Sequence, residues 1–337
     1  MAKREETIIE RICSTVGLNE SFFQDFDFDS FPKDIQEHQT IEQWIYIFLY
    51  QKYQETTRGL LSEAEWLTSL GFRQDSIALK TICTRIDILQ GHIEPFECAK
   101  YFIQDEFKYN VLLSETSHPR FPMNLPHLNK WCILSKEIQS RENATQPCFL
   151  INLEKHEASE SKISQLLTPN ETENRILLFH GTDHKSALDI FDEGIDLYSG
   201  SQKRDFSDGN GFYLVNELNC AIRMAFGKTS KPAVLVYQIP KTILTKFAKY
   251  SLCGKEKETE WKAIVSQCRE GRQKRKLRKF LENIDFIEGP MANSYELPPV
   301  AKKGSYQICA ISDDFGEELD NHIRAIIFLD GMQTFSM

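Results

Sequence analysis

The nine cysteines form no Cys-x-x-Cys pair and follow no repeated spacing, so the short ligand spacings of a structural zinc site are missing and no metal is expected. An odd cysteine count without a pairing pattern points to reduced thiols and an intracellular setting. Long apolar runs are missing too. The densest, Trp44 to Tyr50, is far short of a bilayer span and reads as one side of a core helix, so no membrane association is expected. The first residues, MAKREETIIERICS, carry charge where a signal peptide would carry its apolar segment, which fits a cytoplasmic or nuclear protein. An excess of positive charge is also lacking: a net charge of −9 argues against a general nucleic-acid binder. The local exception is the basic run from Arg269 to Lys279, REGRQKRKLRK. Such a run reads first as a solvated helix face, with nuclear targeting or an acidic partner as alternatives.

What the chain does have is enough apolar sequence to fold. Hydrophobic residues make up 41% and charged residues 26% of 337, which suits one large or two ordinary packed domains. Residues 1–112 read as helical: Thr7 to Val16, a helix capped by Thr40 and running to Arg58, one opened by Ser62-Glu63-Ala64-Glu65 and closed by Gly71, then Asp75 to Leu89 and Glu94 to Phe107. Between the first two helices, Phe22, Phe23, Phe26, Phe28 and Phe31 alternate with aspartates and read as rings docked on the helices. This half offers no nucleophile, carboxylate pair or phosphate loop, and reads as a regulatory or interaction domain. Residues 113–174 read as a connector: a Pro-rich segment from Ser114 to Pro126, a short helix from Leu128 to Ile138, a strand from Cys148 to Leu153, and a polar linker to Asn174. Residues 175–337 read as many short strands with few helices, an α+β pattern without βαβ alternation. A long helix from Thr259 to Leu281 is expected to carry the basic run.

The stretch Arg175 to Phe226 organises this last part. An apolar run, Ile176 to Phe179, ends in His180-Gly181-Thr182, and a second short strand holds Gly211-Phe212-Tyr213-Leu214-Val215. Each places a polar or aromatic side chain beside a glycine, the combination that close backbone approach to a ligand requires. Gln307, at the start of SYQICAI, joins His180 and Tyr213 as a candidate; its bland alternative is a water-facing edge residue. Asp205 and Asp208 read as turn-shaping residues, and Thr182 and Asn210 as cofactor contacts by position.

These residues resemble a known group. FHGT followed by DGNGFYLVN is similar to the His-Gly-Ser/Thr and Gly-x-Gly-Φ-Tyr-Φ strands of the poly-ADP-ribose-polymerase-like ADP-ribosyltransferases. Phe179 to Thr182, Asp205 to Leu214, Ile287 to Asn293 and Gln307 to Cys309 together resemble DUF3990, an uncharacterised family related to those transferases. The resemblance covers Arg175 to Leu329. It implies a split antiparallel β-sheet domain with NAD as substrate and no metal. It implies that His180 hydrogen-bonds a ribose hydroxyl, the Gly181 backbone holds the nicotinamide carboxamide and Tyr213 stacks on the nicotinamide ring, with Thr182, Gly211 and Phe212 as further cofactor contacts. Gln307 would fall where the polymerases carry a catalytic glutamate. A glutamine orients but cannot act as a base, so single transfer to a protein acceptor is expected ahead of chain elongation. NAD hydrolysis and an inactive NAD- or protein-binding module are the alternatives. Ala221 and Met224 depart from the serine and second tyrosine of the family pattern.

Overall fold

The computed structural model describes residues 8–19, 22, 40–59, 61–89, 91–110, 132–133, 149–154, 174–200, 204–207, 209–270, 277, 279, 281–295 and 297–330. The expected Pro-rich segment lies outside the described residues, as does the polar linker over 155–173. So do residues 271–276 and 278 of the basic run. The chain divides into two compact units, Met1–Pro119 and Arg120–Met337.

The first unit contains helices α1 (Ile8–Thr15), α2 (Ile41–Glu55), α3 (Glu63–Ser69), α4 (Ile77–Leu89) and α5 (Pro95–Tyr109). Their ends follow from local chemistry. Thr40 and Gln43 form a reciprocal capping box, as do Ser62 and Glu65, so backbone N–H groups that a helix start leaves open are satisfied by side chains. Pro95 occupies the first turn of α5, where its missing N–H costs nothing. Gly71, after α3, has φ +113°, a conformation that side chains with a Cβ avoid. Trp44, Ile45, Phe48 and Leu49 of α2 are buried as their spacing predicts. Phe22 docks edge-on against Phe48 at 4.9 Å; the other phenylalanines of that loop lie outside the described residues. Arg85 of α4 and Asp105 of α5 form a buried ion pair at 2.7 Å, so losing either partner would strand a charge in the core.

The second unit is built on a nine-stranded sheet in the order β1-β2-β9-β5-β3-β4-β8-β7-β6. The strands are β1 (Cys132–Ile133), β2 (Phe149–Glu154), β3 (Arg175–Asp183), β4 (Phe212–Val215), β5 (Pro232–Pro240), β6 (Lys249–Ser251), β7 (Phe286–Gly289), β8 (Gln307–Ala310) and β9 (Ile323–Asp330). The sheet is mixed rather than wholly antiparallel, because β2 runs parallel to β9 and β6 runs parallel to β7. Cys132–Ile133 pair with Leu150 and Phe149 as strand, where a helix was expected. The sheet is nearly divided at its middle. β3 and β5 pair over nine registered positions, whereas β3 and β4 share the single pair Phe179↔Val215.

Helices cover both faces. Ala187 and Phe191 of α6 (His184–Glu193) and Phe315 and Leu319 of α9 (Asp313–Asp320) join the core that holds Leu178, Phe212, Leu235 and Ile326. Trp261, Ile264, Val265 and Cys268 of α8 (Glu258–Arg269) join a second core with Phe206, Ile287 and Cys309. A further helix is α7 (Leu218–Lys228). The helix expected over Thr259 to Leu281 is borne out in pieces: α8 stops at Arg269, and of the residues further along the run the described Leu277, Lys279 and Leu281 are again helical.

Candidate functional site

His180 lies inside β3, not at its end. The apolar run, which by sequence alone stops at Phe179, continues as strand through Asp183, because β5 supplies partners as far as Pro232. Past the pair Phe179↔Val215 the β3–β4 ladder has no further registered pair, and the side chain of His180 bridges the gap. Its Nδ1 lies 2.8 Å from the Tyr213 carbonyl oxygen, and its ring stacks on Phe212 at 4.1 Å with planes 23° apart. A carbonyl can only accept, so Nδ1 carries the hydrogen and Nε2 is left as an acceptor. Burial, then the charge of Lys228, lower the imidazole from 6.5 to about 3. His180 is therefore a neutral, oriented acceptor at the division of the sheet.

Strand geometry separates it from its expected companions. Paired residues of neighbouring strands share a face, and successive residues alternate. His180 shares the face of Phe212, on which its ring stacks. Tyr213 is registered with Cys309, and Gln307 with Val215, so both point to the opposite face. The structure thus brings Tyr213 and Gln307 to one side and places His180 on the other. His180 touches Tyr213 through the main chain alone.

Tyr213 and Gln307 are also engaged in holding the scaffold together. The Tyr213 hydroxyl accepts from the Phe206 N–H at 2.9 Å and bonds the Ser207 hydroxyl at 3.0 Å. Gln307 is buried in a strand flanked by β4 and β7, not on a water-facing edge. Its Nε2 donates to Asp205 Oδ2 at 2.8 Å and to the Pro290 carbonyl at 3.3 Å. Asp205 is the centre of this network. Its Oδ2 also accepts from the Ala292 N–H at 3.1 Å, and its Oδ1 accepts from Arg269 Nε at 2.9 Å and Nη2 at 2.5 Å. Arg269 also donates to the Ser294 carbonyl. So the first residue of the basic run turns inward and does not sit on a solvated face. Asp205, by its sequence context a turn-shaping residue, is instead the keystone of this network. The signal that could have found it was its membership, with Pro290, Ala292 and Gln307, in the motifs that carried the resemblance.

The glycines serve packing. A Cβ on Gly181 would lie 2.0 Å from the Ala221 carbonyl oxygen of α7, and one on Gly211 would lie 2.7 Å from Cys309 Sγ. The close approach expected at Gly181 is made by a helix backbone on the face away from His180. Thr182 and Phe212 are buried, and Phe212 lies under the His180 ring. Ala221 is buried in α7, while Met224 is partly exposed. At the end of α7, Lys228 Nζ reaches the Gly181 carbonyl at 3.5 Å, a contact that no motif in the sequence marks. Among the described residues no group of three or more His, Cys, Asp or Glu side chains is placed to hold a metal ion. No described helix is long and apolar enough to cross a membrane.

His180 also makes an acid-stability prediction. An unfolded histidine takes up a proton near its ordinary value of 6.5, whereas folded His180 resists protonation down to about 3. Between those values the unfolded chain holds the extra proton, so stability falls as pH falls, by up to about 1.4 kcal/mol per pH unit. Urea titrations from pH 7 to pH 4 should show this slope, and His180→Asn should remove that part of it. An unchanged slope in the variant would mean that His180 is protonated as readily in the fold as out of it.

Residues 176–305 match the protein family described as "Protein of unknown function (DUF3990)". The match spans His180, Asp205, Tyr213 and Pro290 and ends just before Gln307. No curated protein matches the chain.

Proposed function

We propose that the second unit is an ADP-ribosyltransferase-like module that holds NAD at the division between β3 and β4, and that it binds the dinucleotide without turning it over rapidly. The observation that carries this reading is the locked tautomer of His180. Its Nδ1–H is committed to the Tyr213 carbonyl, so Nε2 can accept from a ribose hydroxyl. The case for binding over chemistry rests on the other two candidates. The Gln307 amide is committed to Asp205 and Pro290, and the Tyr213 hydroxyl to Phe206 and Ser207. Neither faces the side of the sheet on which His180 lies. Cleavage of the nicotinamide bond needs groups aimed at the cationic ribose that develops, and a neutral imidazole acting alone supplies little of that.

The test is calorimetric titration with NAD and with ADP-ribose, beside chromatographic measurement of nicotinamide release. Both ligands should bind, and His180→Ala should weaken them roughly three- to tenfold, the worth of one neutral hydrogen bond. Nicotinamide release should stay at the level of the protein-free control, with or without added protein acceptor. Unchanged affinity in His180→Ala would remove His180 from the site. Rapid release that His180→Ala abolishes would replace this reading, by single ADP-ribosyl transfer if it needs the acceptor and by NAD hydrolysis if it does not.

A further inference from the structure

The sheet ends in an open edge at β6. Among the described residues no strand lies beyond it. The ladder with β7 fixes which way its backbone groups point. The Phe286 N–H donates to the Ala248 carbonyl at 3.3 Å, and the Leu252 N–H donates to the Glu288 carbonyl at 2.8 Å. In a parallel pair alternate residues bond the same neighbour, so Ala248, Tyr250 and Leu252 turn to β7. The N–H and C=O groups of Lys249 and Ser251 therefore point away from the sheet. Lys249 is exposed and Ser251 half-buried. The side chains along this edge differ between its two faces. Lys249 and Ser251 lie on the face of Glu288, with which Ser251 is registered. Lys249 Nζ bonds Glu288 Oε1 at 3.0 Å, and its side chain is 44% exposed. An ammonium has three donors, so that bond leaves it able to take a second carboxylate. Tyr250, on the other face, packs against the core that holds Trp261 and Ile287. Between residues 241 and 257, Lys241, Lys246, Lys249, Lys255 and Lys257 stand against Glu256 alone. The edge is thus locally positive in a chain of net charge −9.

We propose that β6 is a docking edge for an acidic, extended peptide segment of a partner protein, which joins the sheet as an added strand. Main-chain bonds to Lys249 and Ser251 supply affinity, and side chains at alternate positions of the peptide supply the choice of partner. A carboxylate of the peptide meets Lys249 on one face, and an apolar side chain beside it meets the Tyr250 ring on the other. Opposite charges facing each other across a strand pair stabilise it, and like charges destabilise it. The same lysines discourage a second copy of this chain from pairing through β6, because self-pairing would bring two lysine-bearing edges together. The charge therefore favours an acidic peptide over self-association. β4, β8 and β7 separate this edge from β3 and His180, and a peptide bound there does not depend on NAD.

The probe is a short fluorescein-labelled peptide of alternating glutamate and valine, titrated with the full chain in low salt and read by fluorescence anisotropy. A lysine–valine peptide of the same length is the control. Ser251→Pro removes one outward N–H and spares the β7 ladder, since proline is tolerated on an edge strand where its nitrogen faces solvent. Ser251→Ala controls for the lost hydroxyl. The glutamate peptide should bind the wild type and Ser251→Ala alike, and Ser251→Pro should weaken it at least about tenfold, by a lost main-chain bond and the bulk of the ring. Lys249→Gln should weaken it roughly three- to tenfold. The lysine peptide should bind at least about tenfold more weakly than the glutamate peptide. Failure of the glutamate peptide to bind the wild type, equal binding by Ser251→Pro, or equal binding of the two peptides overturns the proposal. Should Ser251→Pro fail to fold in thermal melts, a glutamate–valine peptide N-methylated at every second residue removes the same main-chain bonds from the ligand's side. Undiminished binding of both possible N-methylated patterns overturns strand addition. A dimer in sedimentation that the glutamate peptide does not dissociate and Ser251→Pro abolishes would give the edge to a second copy, and overturns the peptide as its occupant.

Discussion

Asp205→Ala should cost the second unit about 3–5 kcal/mol, because it strands a buried guanidinium. Arg269 is nine-tenths buried, its side chain 9% exposed, and its ion pair with Asp205 is 2.5 Å long. The same carboxylate accepts from Gln307 Nε2 and from the Ala292 N–H, so the substitution takes an acceptor from four donor nitrogens on three residues at once. For a unit of this size the loss corresponds to roughly 6–20 °C in melting temperature. A double-mutant cycle isolates the cause. In an Arg269→Met background, where the charge is gone, Asp205→Ala should cost much less. Gln307→Glu should also destabilise, because it sets a second carboxylate 2.8 Å from the first, and one of the two must then be protonated or the pair must separate. That outcome is the opposite of what a vacant catalytic-glutamate position would give. Melting of Asp205→Ala within about 1 °C of wild type would show that Asp205 is not the keystone.

How far the sequence reveals this molecule depends on whether a feature is local. The capping boxes at Thr40 and Ser62 and the glycine stop at Gly71 are decided within a few residues, and all are legible. So is β5, whose apolar run from Ala233 to Tyr237 suits a strand buried on both faces. The course of β3 is not. His180 and Gly181 look like the end of a strand, yet pairing with Leu235 and Val234 carries them onward. The face on which a side chain emerges is also hidden, since a shift of one residue reverses it. His180, Tyr213 and Gln307 read as a single constellation because each sits by a motif. The registers Phe179↔Val215 and Tyr213↔Cys309 place them on opposite faces. Arg269 shows the same limit: in a run of basic residues nothing local marks the one that turns inward to Asp205.

Gly181→Ala should be the most damaging single-methyl addition in the sheet. Gly181 is not among the glycines with positive φ, so alanine meets no backbone penalty there and the whole cost is steric. The new Cβ would sit 2.0 Å from the Ala221 carbonyl oxygen, 2.9 Å from its carbon and 3.1 Å from the Ala225 nitrogen. These are backbone atoms of α7 and cannot rotate aside. The helix must lift from β3, and it carries Lys228 with it. Overpacking of this kind costs about 3 kcal/mol or more, or roughly 6–12 °C in a unit of this size. Gly304 provides the control. It has φ +78°, and a Cβ added there would meet nothing within 4 Å, so Gly304→Ala tests conformational strain without a clash and should cost about 1–2 kcal/mol. Thermal melts of the two variants side by side separate the causes. A Gly181→Ala protein that melts no lower than Gly304→Ala would mean that α7 is not seated against the strand at Gly181, and the reach of Lys228 Nζ to the Gly181 carbonyl would fall with it.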